Sequence, residues 1–96
     1  MNELQTLKEL LTNGKYQGKV DVAISTQNSQ IMSRTRLVNP QIEAGEKFAT
    51  LKTRGDTARA VISFEGVENI STQKYYDGIG YFINYSGGNR LTAIFA

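Results

Sequence analysis

After Gly18 the hydrophobic period of this chain changes from 3.6 residues to 2, and that change constrains the fold more than any other feature. Ahead of it, Leu4, Leu7, Leu10 and Leu11 recur at i, i+3, i+6 and i+7, one stripe of an amphipathic helix. Asn2 can cap the first turn with Gln5 three residues on, and Asn13-Gly14 supplies a left-handed stop. A helix of about eleven residues is too short to stand alone in water, so its leucine stripe must dock on something. Beyond Gly18, Val20, Val22 and Ile24 alternate with Lys19, Asp21 and Ser25, the pattern of a half-buried strand.

Thr26-Gln27-Asn28-Ser29 then reads as a polar turn. Residues 30–38 fit a strand or a helix. Their β-branched content and the Pro40 stop favour a strand, with Ile31, Ser33, Thr35 and Leu37 on one face and Met32, Arg34, Arg36 and Val38 on the other. Asn39-Pro40 breaks the pattern, because proline lacks an N–H and biases its predecessor away from helical angles. Residues 40–53 can also be written as a helix starting at Pro40, but Gly45 weakens it by about 1 kcal/mol relative to alanine. A hairpin fits better. Residues 47–53 and 57–64 flank Arg54-Gly55-Asp56, and Ala58, Ala60, Ile62 and Phe64 alternate with Thr57, Arg59, Val61 and Ser63.

Residues 67–72 read as a loop or one short turn. The last third is a series of strands over residues 73–76, 79–85 and 90–95, separated by Asp77-Gly78 and Ser86-Gly87-Gly88-Asn89. The apolar strand carrying Leu91, Ala93 and Phe95 must be paired and covered, which places it inside the sheet. The expected architecture is α+β: an N-terminal helix packed on a twisted antiparallel sheet of about five or six strands, with a small, partly closed β-barrel as the alternative. With 96 residues, 40% of them hydrophobic and 21% charged, residues 1–96 are expected to form one ordinary globular domain.

Composition excludes more chemistry than it suggests. There is no cysteine and no histidine, which removes disulfides, thiolate zinc sites, nucleophile–imidazole pairs and any imidazole base. Eleven Lys and Arg against nine Asp and Glu leave +2, too little for a dedicated duplex-DNA binder. Glu3, Lys8 and Glu9 interrupt the leucines of residues 1–17, so the apolar run of a signal peptide is missing, and no stretch approaches the roughly 20 apolar residues of a membrane span. The expected compartment is the cytoplasm, that of a host cell if the chain is phage-encoded, with no membrane partner.

The motif candidates resolve into turns. Gly78 and Gly80 give only G-x-G, and Ile83 occupies the third glycine position of the dinucleotide fingerprint. Ser86-Gly87-Gly88-Asn89 could cradle an anion on its N–H groups, but a hairpin needs the same residues. Arg54-Gly55-Asp56 spells the integrin tripeptide where a turn is wanted. Glu43/Glu46 and Glu65/Glu68 are the close acid pairs. Each falls at a loop or strand end, where carboxylates are usually just solvated, and none has the spacing of a calcium loop. No nucleophile–base set can be assembled, so neither enzyme activity, a cofactor nor a metal is expected.

The strongest bias is aromatic: Tyr75, Tyr76, Tyr81, Phe82, Tyr85 and Phe95 all lie within residues 75–95. On the 79–85 strand, Ile79, Tyr81, Ile83 and Tyr85 share one face, and Gly80, Phe82 and Asn84 the other. Tyrosine suits a core edge as well as a protein interface, and aromatics with nearby arginines on an open sheet can stack single-stranded bases. The candidate partner-binding residues are therefore Tyr81 and Tyr85, Arg34 and Arg36, with Tyr75, Tyr76, Lys74 and Arg90.

Three functions fit this pattern. The leading expectation is a non-catalytic small binding protein of inhibitor or adaptor type. It would act stoichiometrically on a protein or protein–nucleic-acid complex, in the style of phage-encoded anti-defence inhibitors. The alternatives are a sheet module for single-stranded nucleic acid and a sponge-type protein that captures a small nucleotide in a homodimer crevice.

Overall fold

The computed structural model describes residues 3–12, 14, 16–26, 30–53, 55 and 57–96. The Asn2 cap, the Asn13 half of the helix stop, the turn residues Gln27, Asn28 and Ser29, and Arg54 and Asp56 lie outside the described residues.

Among the described residues one helix, α1 (Glu3–Leu11), precedes eight strands: β1 (Lys19–Thr26), β2 (Ile31–Val38), β3 (Gln41–Ala44), β4 (Phe48–Lys52), β5 (Arg59–Ser63), β6 (Val67–Tyr75), β7 (Gly78–Tyr85) and β8 (Asn89–Phe95). They form two antiparallel sheets, ordered β2-β1-β8-β7-β6 and β3-β4-β5. The α+β expectation holds, with two sheets in place of one and no closed barrel. The apolar 90–95 strand does lie inside its sheet, between β1 and β7.

Residues 31–38 form a strand, and 40–53 form two strands, β3 and β4, around a turn at 45–47, with no helix in either stretch. Two strands escape the sequence pattern, each for a local reason. β6 covers the whole of the 67–72 stretch read as a loop. A bulge between Val67 and Asn69 puts Val67 opposite Tyr85 and Ile70 opposite Ile83, so two residues three apart share a face and break the period of 2. β3 is four residues long and buries only Ile42, too little for any periodicity to show.

The core lies between the sheets. Val20, Val22, Leu37, Tyr81, Ile83, Leu91, Ala93 and Phe95 from the larger sheet meet Ile42, Ala49, Leu51, Ala60 and Ile62 from the smaller one. α1 packs against β3 and β6 and adds Leu7 and Leu11, both fully buried. Leu4 and Leu10 pack at its margin. Glu3 in the first turn and Lys8 in the last complement the helix dipole, and the Lys8 ammonium stands 5.2 Å from the centre of the Phe64 ring.

The connection from α1 to β1 is tied down by the segment around Pro40. Ile42 donates its N–H to the Gly14 carbonyl at 2.8 Å, and Tyr16 donates to the Pro40 carbonyl at 3.2 Å. Asn39 sits at a φ of 50°, which asparagine tolerates, and its side-chain oxygen accepts the Gly18 N–H at 2.8 Å.

Candidate functional site

The inner face of the five-stranded sheet is covered by the smaller sheet and α1; among the described residues nothing covers its outer face. The register sets that face in rows. Arg36 lies opposite Asp21, which lies opposite Ile94, then Gly80, then Gln73. In the next row Arg34, Ala23, Thr92, Phe82 and Ser71 follow one another across β2, β1, β8, β7 and β6. A third row holds Ser25, Arg90, Asn84 and Asn69. Lys19, Arg34, Arg36 and Arg90 therefore share this face with the Asp21 carboxylate, and Glu68, in the β6 bulge, borders a hollow at its rim with Arg90, Asn84 and Asn69.

Hydrogen bonds fix two of those cations. The Arg34 Nε lies 3.1 and 3.2 Å from the two Asp21 oxygens, and its Nη2 lies 2.7 Å from one of them. Arg36 approaches the same carboxylate at 3.4 Å. The bond from Arg34 holds the Asp21 carboxyl below its usual pKa, so one anion serves two guanidiniums and the pair retains a net positive charge. Arg90 donates from Nε to the Asn84 side-chain oxygen at 2.8 Å, and Asn84 donates in turn to Asn69 at 2.7 Å, a polar ladder across β8, β7 and β6.

Small side chains shape the rest. Ala23 and Thr92 occupy the two central strands between Arg34 and Phe82. The result is a depression of about 300 Å³, lined also by Asp21, Ser25, Ile31, Arg90 and Ile94. Beside it, Gly80 has no side chain, and the Tyr75 and Phe82 rings close over its α-carbon, where an added Cβ would lie 2.9 and 3.3 Å from them.

The structure thus brings Arg34, Arg36, Arg90 and Tyr75 onto one open face, and it separates the other candidates from them. Tyr81 and Tyr85 do share the face of Ile79 and Ile83, but that face is the covered one. Tyr81 is 2% exposed, its ring edge-on to Phe95 at 5.9 Å between centroids, so it does not belong to a binding surface. Tyr85 is half-buried and donates its hydroxyl to the Ser63 carbonyl at 2.7 Å, tying β7 to β5. Lys74 lies opposite Ile79, on the covered face's parity at the β6 edge, and Tyr76 is fully exposed at the tip of the β6–β7 hairpin. Phe82 and Ile94 are the face residues that the sequence pattern passed over. The alternation did place Phe82 opposite in parity to the tyrosines; which parity faces water was not readable from it.

Burial raises the Tyr85 phenol to about 12 from an ordinary 10.0. The folded value lies above the unfolded one, so its contribution to stability is complete below about pH 10 and is lost as pH rises through about 12. Alkaline unfolding followed for wild type and Tyr85→Phe should show stability falling more steeply above pH 10 in the wild type. Parallel curves would mean that the phenol is not protected by the fold.

Of the other motif residues, Gly88 and Gly78 serve turns and close packing. Gly88 sits at a φ of 88° and donates its N–H to the Tyr85 carbonyl, as the hairpin requires. Gly78 leaves room for the Phe95 carbonyl of the neighbouring strand. Glu43 pairs with Lys52 at 3.2 Å on the smaller sheet. Among the described residues no three His, Cys, Asp or Glu side chains converge as a metal site would need, and no helix is long and apolar enough to cross a membrane. Comparison with protein-family models, with curated proteins and with solved structures returns no match.

Proposed function

We propose that this chain is a non-catalytic binding protein that engages a macromolecular partner through the open face of its five-stranded sheet, in the manner of an inhibitor or adaptor. One observation carries this: the face left uncovered by the fold is the one that carries Arg34, Arg36, Arg90, Tyr75 and Phe82. Arginine and aromatic side chains are enriched at interface hot spots, and a face whose four cations outnumber Asp21 and the rim carboxylate Glu68 selects a partner of negative potential. A protein or a protein–nucleic-acid complex meets that requirement.

The second reading, capture of a small nucleotide between two copies, has less support. The free edge of β2 is where two sheets would join, and either antiparallel register centred on that strand sets Arg34 against Arg34 or against Arg36 of the second copy.

The test is capture of partners from a lysate of the cells that encode the protein, using tagged wild type, Arg36→Ala/Arg90→Ala and, as a control on an exposed loop elsewhere, Lys47→Ala. Wild type and control should retain the same partner at a fixed molar ratio, and the double variant should lose it while keeping its circular dichroism spectrum. Retention by the double variant, or an effect on the partner that persists far below equimolar protein, would overturn the proposal.

A further inference from the structure

We infer that the depression between Arg34, Arg90 and Phe82 is a nucleotide site for single-stranded nucleic acid, resting on the reading that this face is the binding surface. Its shape follows from the row Arg34, Ala23, Thr92, Phe82. Two short side chains on the central strands leave about 300 Å³ between a guanidinium and a ring, with Ile94 and Ala23 as apolar floor and Arg90 along the side. That volume is at the lower end for a small-ligand cleft and suits a single nucleotide rather than a peptide segment.

The chemistry of the lining has two parts, as a nucleotide does. Phe82 borders the depression with an aromatic ring, the group on which a base of any sequence can stack, and Arg34 and Arg90 offer N–H donors to a phosphate. Both guanidiniums are already oriented, Arg34 by Asp21 and Arg90 by the Asn84–Asn69 ladder, so little side-chain freedom is lost when an anion arrives. Tyr75, on the other side of Gly80 from Phe82, supplies a second ring for a neighbouring base. Lys19 and Arg36 continue the positive charge along β1 and β2, where a backbone can follow. A duplex keeps its bases stacked on one another and cannot use the rings. An acidic peptide would engage the arginines and leave Phe82 without a role.

Fluorescence anisotropy with a short labelled oligothymidylate and an oligouridylate, at low and moderate salt, tests this. Duplex DNA and polyglutamate serve as competitors. The single strands should bind, with affinity falling about fourfold for each doubling of salt if three phosphates are neutralised. Phe82→Ala should weaken binding about 10-fold or more, and Ala23→Leu, which fills the depression and leaves every charge in place, should weaken it comparably. The oligothymidylate and oligouridylate arms show whether DNA or RNA is preferred. Circular dichroism establishes that each variant folds, and Ala23→Leu decides the matter if Phe82→Ala does not. Absence of single-strand binding, or binding that neither variant weakens, or that duplex or polyglutamate displaces as well as unlabelled single strand, overturns the nucleotide site. If the single strands fail while Arg36→Ala/Arg90→Ala still loses its captured protein, the nucleotide site alone is wrong; if that variant also keeps its partner, the open face is not the binding surface.

Discussion

Leu7→Ala and Leu11→Ala should each lower the unfolding free energy by about 2–5 kcal/mol, the usual cost of a buried leucine truncation. Both side chains are fully buried where α1 meets the core, and the neighbours belong to two sheets that cannot collapse inward together. For a domain whose whole stability is about 5–15 kcal/mol, either loss is large. In a thermal melt it corresponds to roughly 4–8 °C for each kcal/mol. Leu10→Ala should cost less, because Leu10 only borders the core. The three melts therefore rank the stripe residue by residue. Melts unchanged by Leu7→Ala and Leu11→Ala would mean that α1 is a free appendage and that the core closes without it.

Gly18→Ala should be comparably damaging, for a different reason. Gly18 holds a φ of 146°, which side-chain-bearing residues rarely adopt, and a Cβ there would collide with the Ala96 carbonyl and press on the Tyr16 ring. Neither neighbour is free to retreat. The Ala96 carbonyl accepts the Lys19 N–H at 3.1 Å and the Tyr16 hydroxyl at 3.2 Å, while Tyr16 packs edge-on to Phe95 at 5.3 Å. Backbone strain and overpacking each cost about 1–3 kcal/mol, so a combined loss of about 2–6 kcal/mol is expected. Gly87→Ala is the internal control: nothing lies within 4 Å of its added Cβ, and its stability should stay close to wild type. Urea unfolding of the two variants side by side checks the contrast. Equal midpoints would mean that the close approach of Gly18 to Ala96 does not exist in solution.

Much of the fold was legible because the chain punctuates itself. The leucine stripe ends near Gly14, the alternation of Val20, Val22 and Ile24 starts after Gly18, and Gly78 and Gly88 mark the turns where β7 and β8 begin. Most of these signals are local, carried by side-chain spacing or, at Gly14, Gly18 and Gly88, by a φ that glycine accepts readily; Gly78 also makes room for the Phe95 carbonyl of the next strand. β6 was hidden by its bulge and β3 by its length. The candidate site was half legible. Parity correctly kept Arg34 with Arg36 and separated Phe82 from Tyr81 and Tyr85.

By itself, then, the sequence determined that no thiol or imidazole is available, that a helix precedes the strands, and which side chains travel together on each strand. Only the tertiary structure decided which of the two faces of β7 meets water. Alternation divides a strand into two sets but carries no label for inside and outside when both sets contain large apolar rings, Tyr81 and Tyr85 on one and Phe82 on the other. That choice is made by the smaller sheet and α1, which cover the face with more apolar surface and leave the arginines, with Phe82 and Tyr75, on the other, because burying guanidiniums that share a single carboxylate would cost more than leaving a few rings exposed.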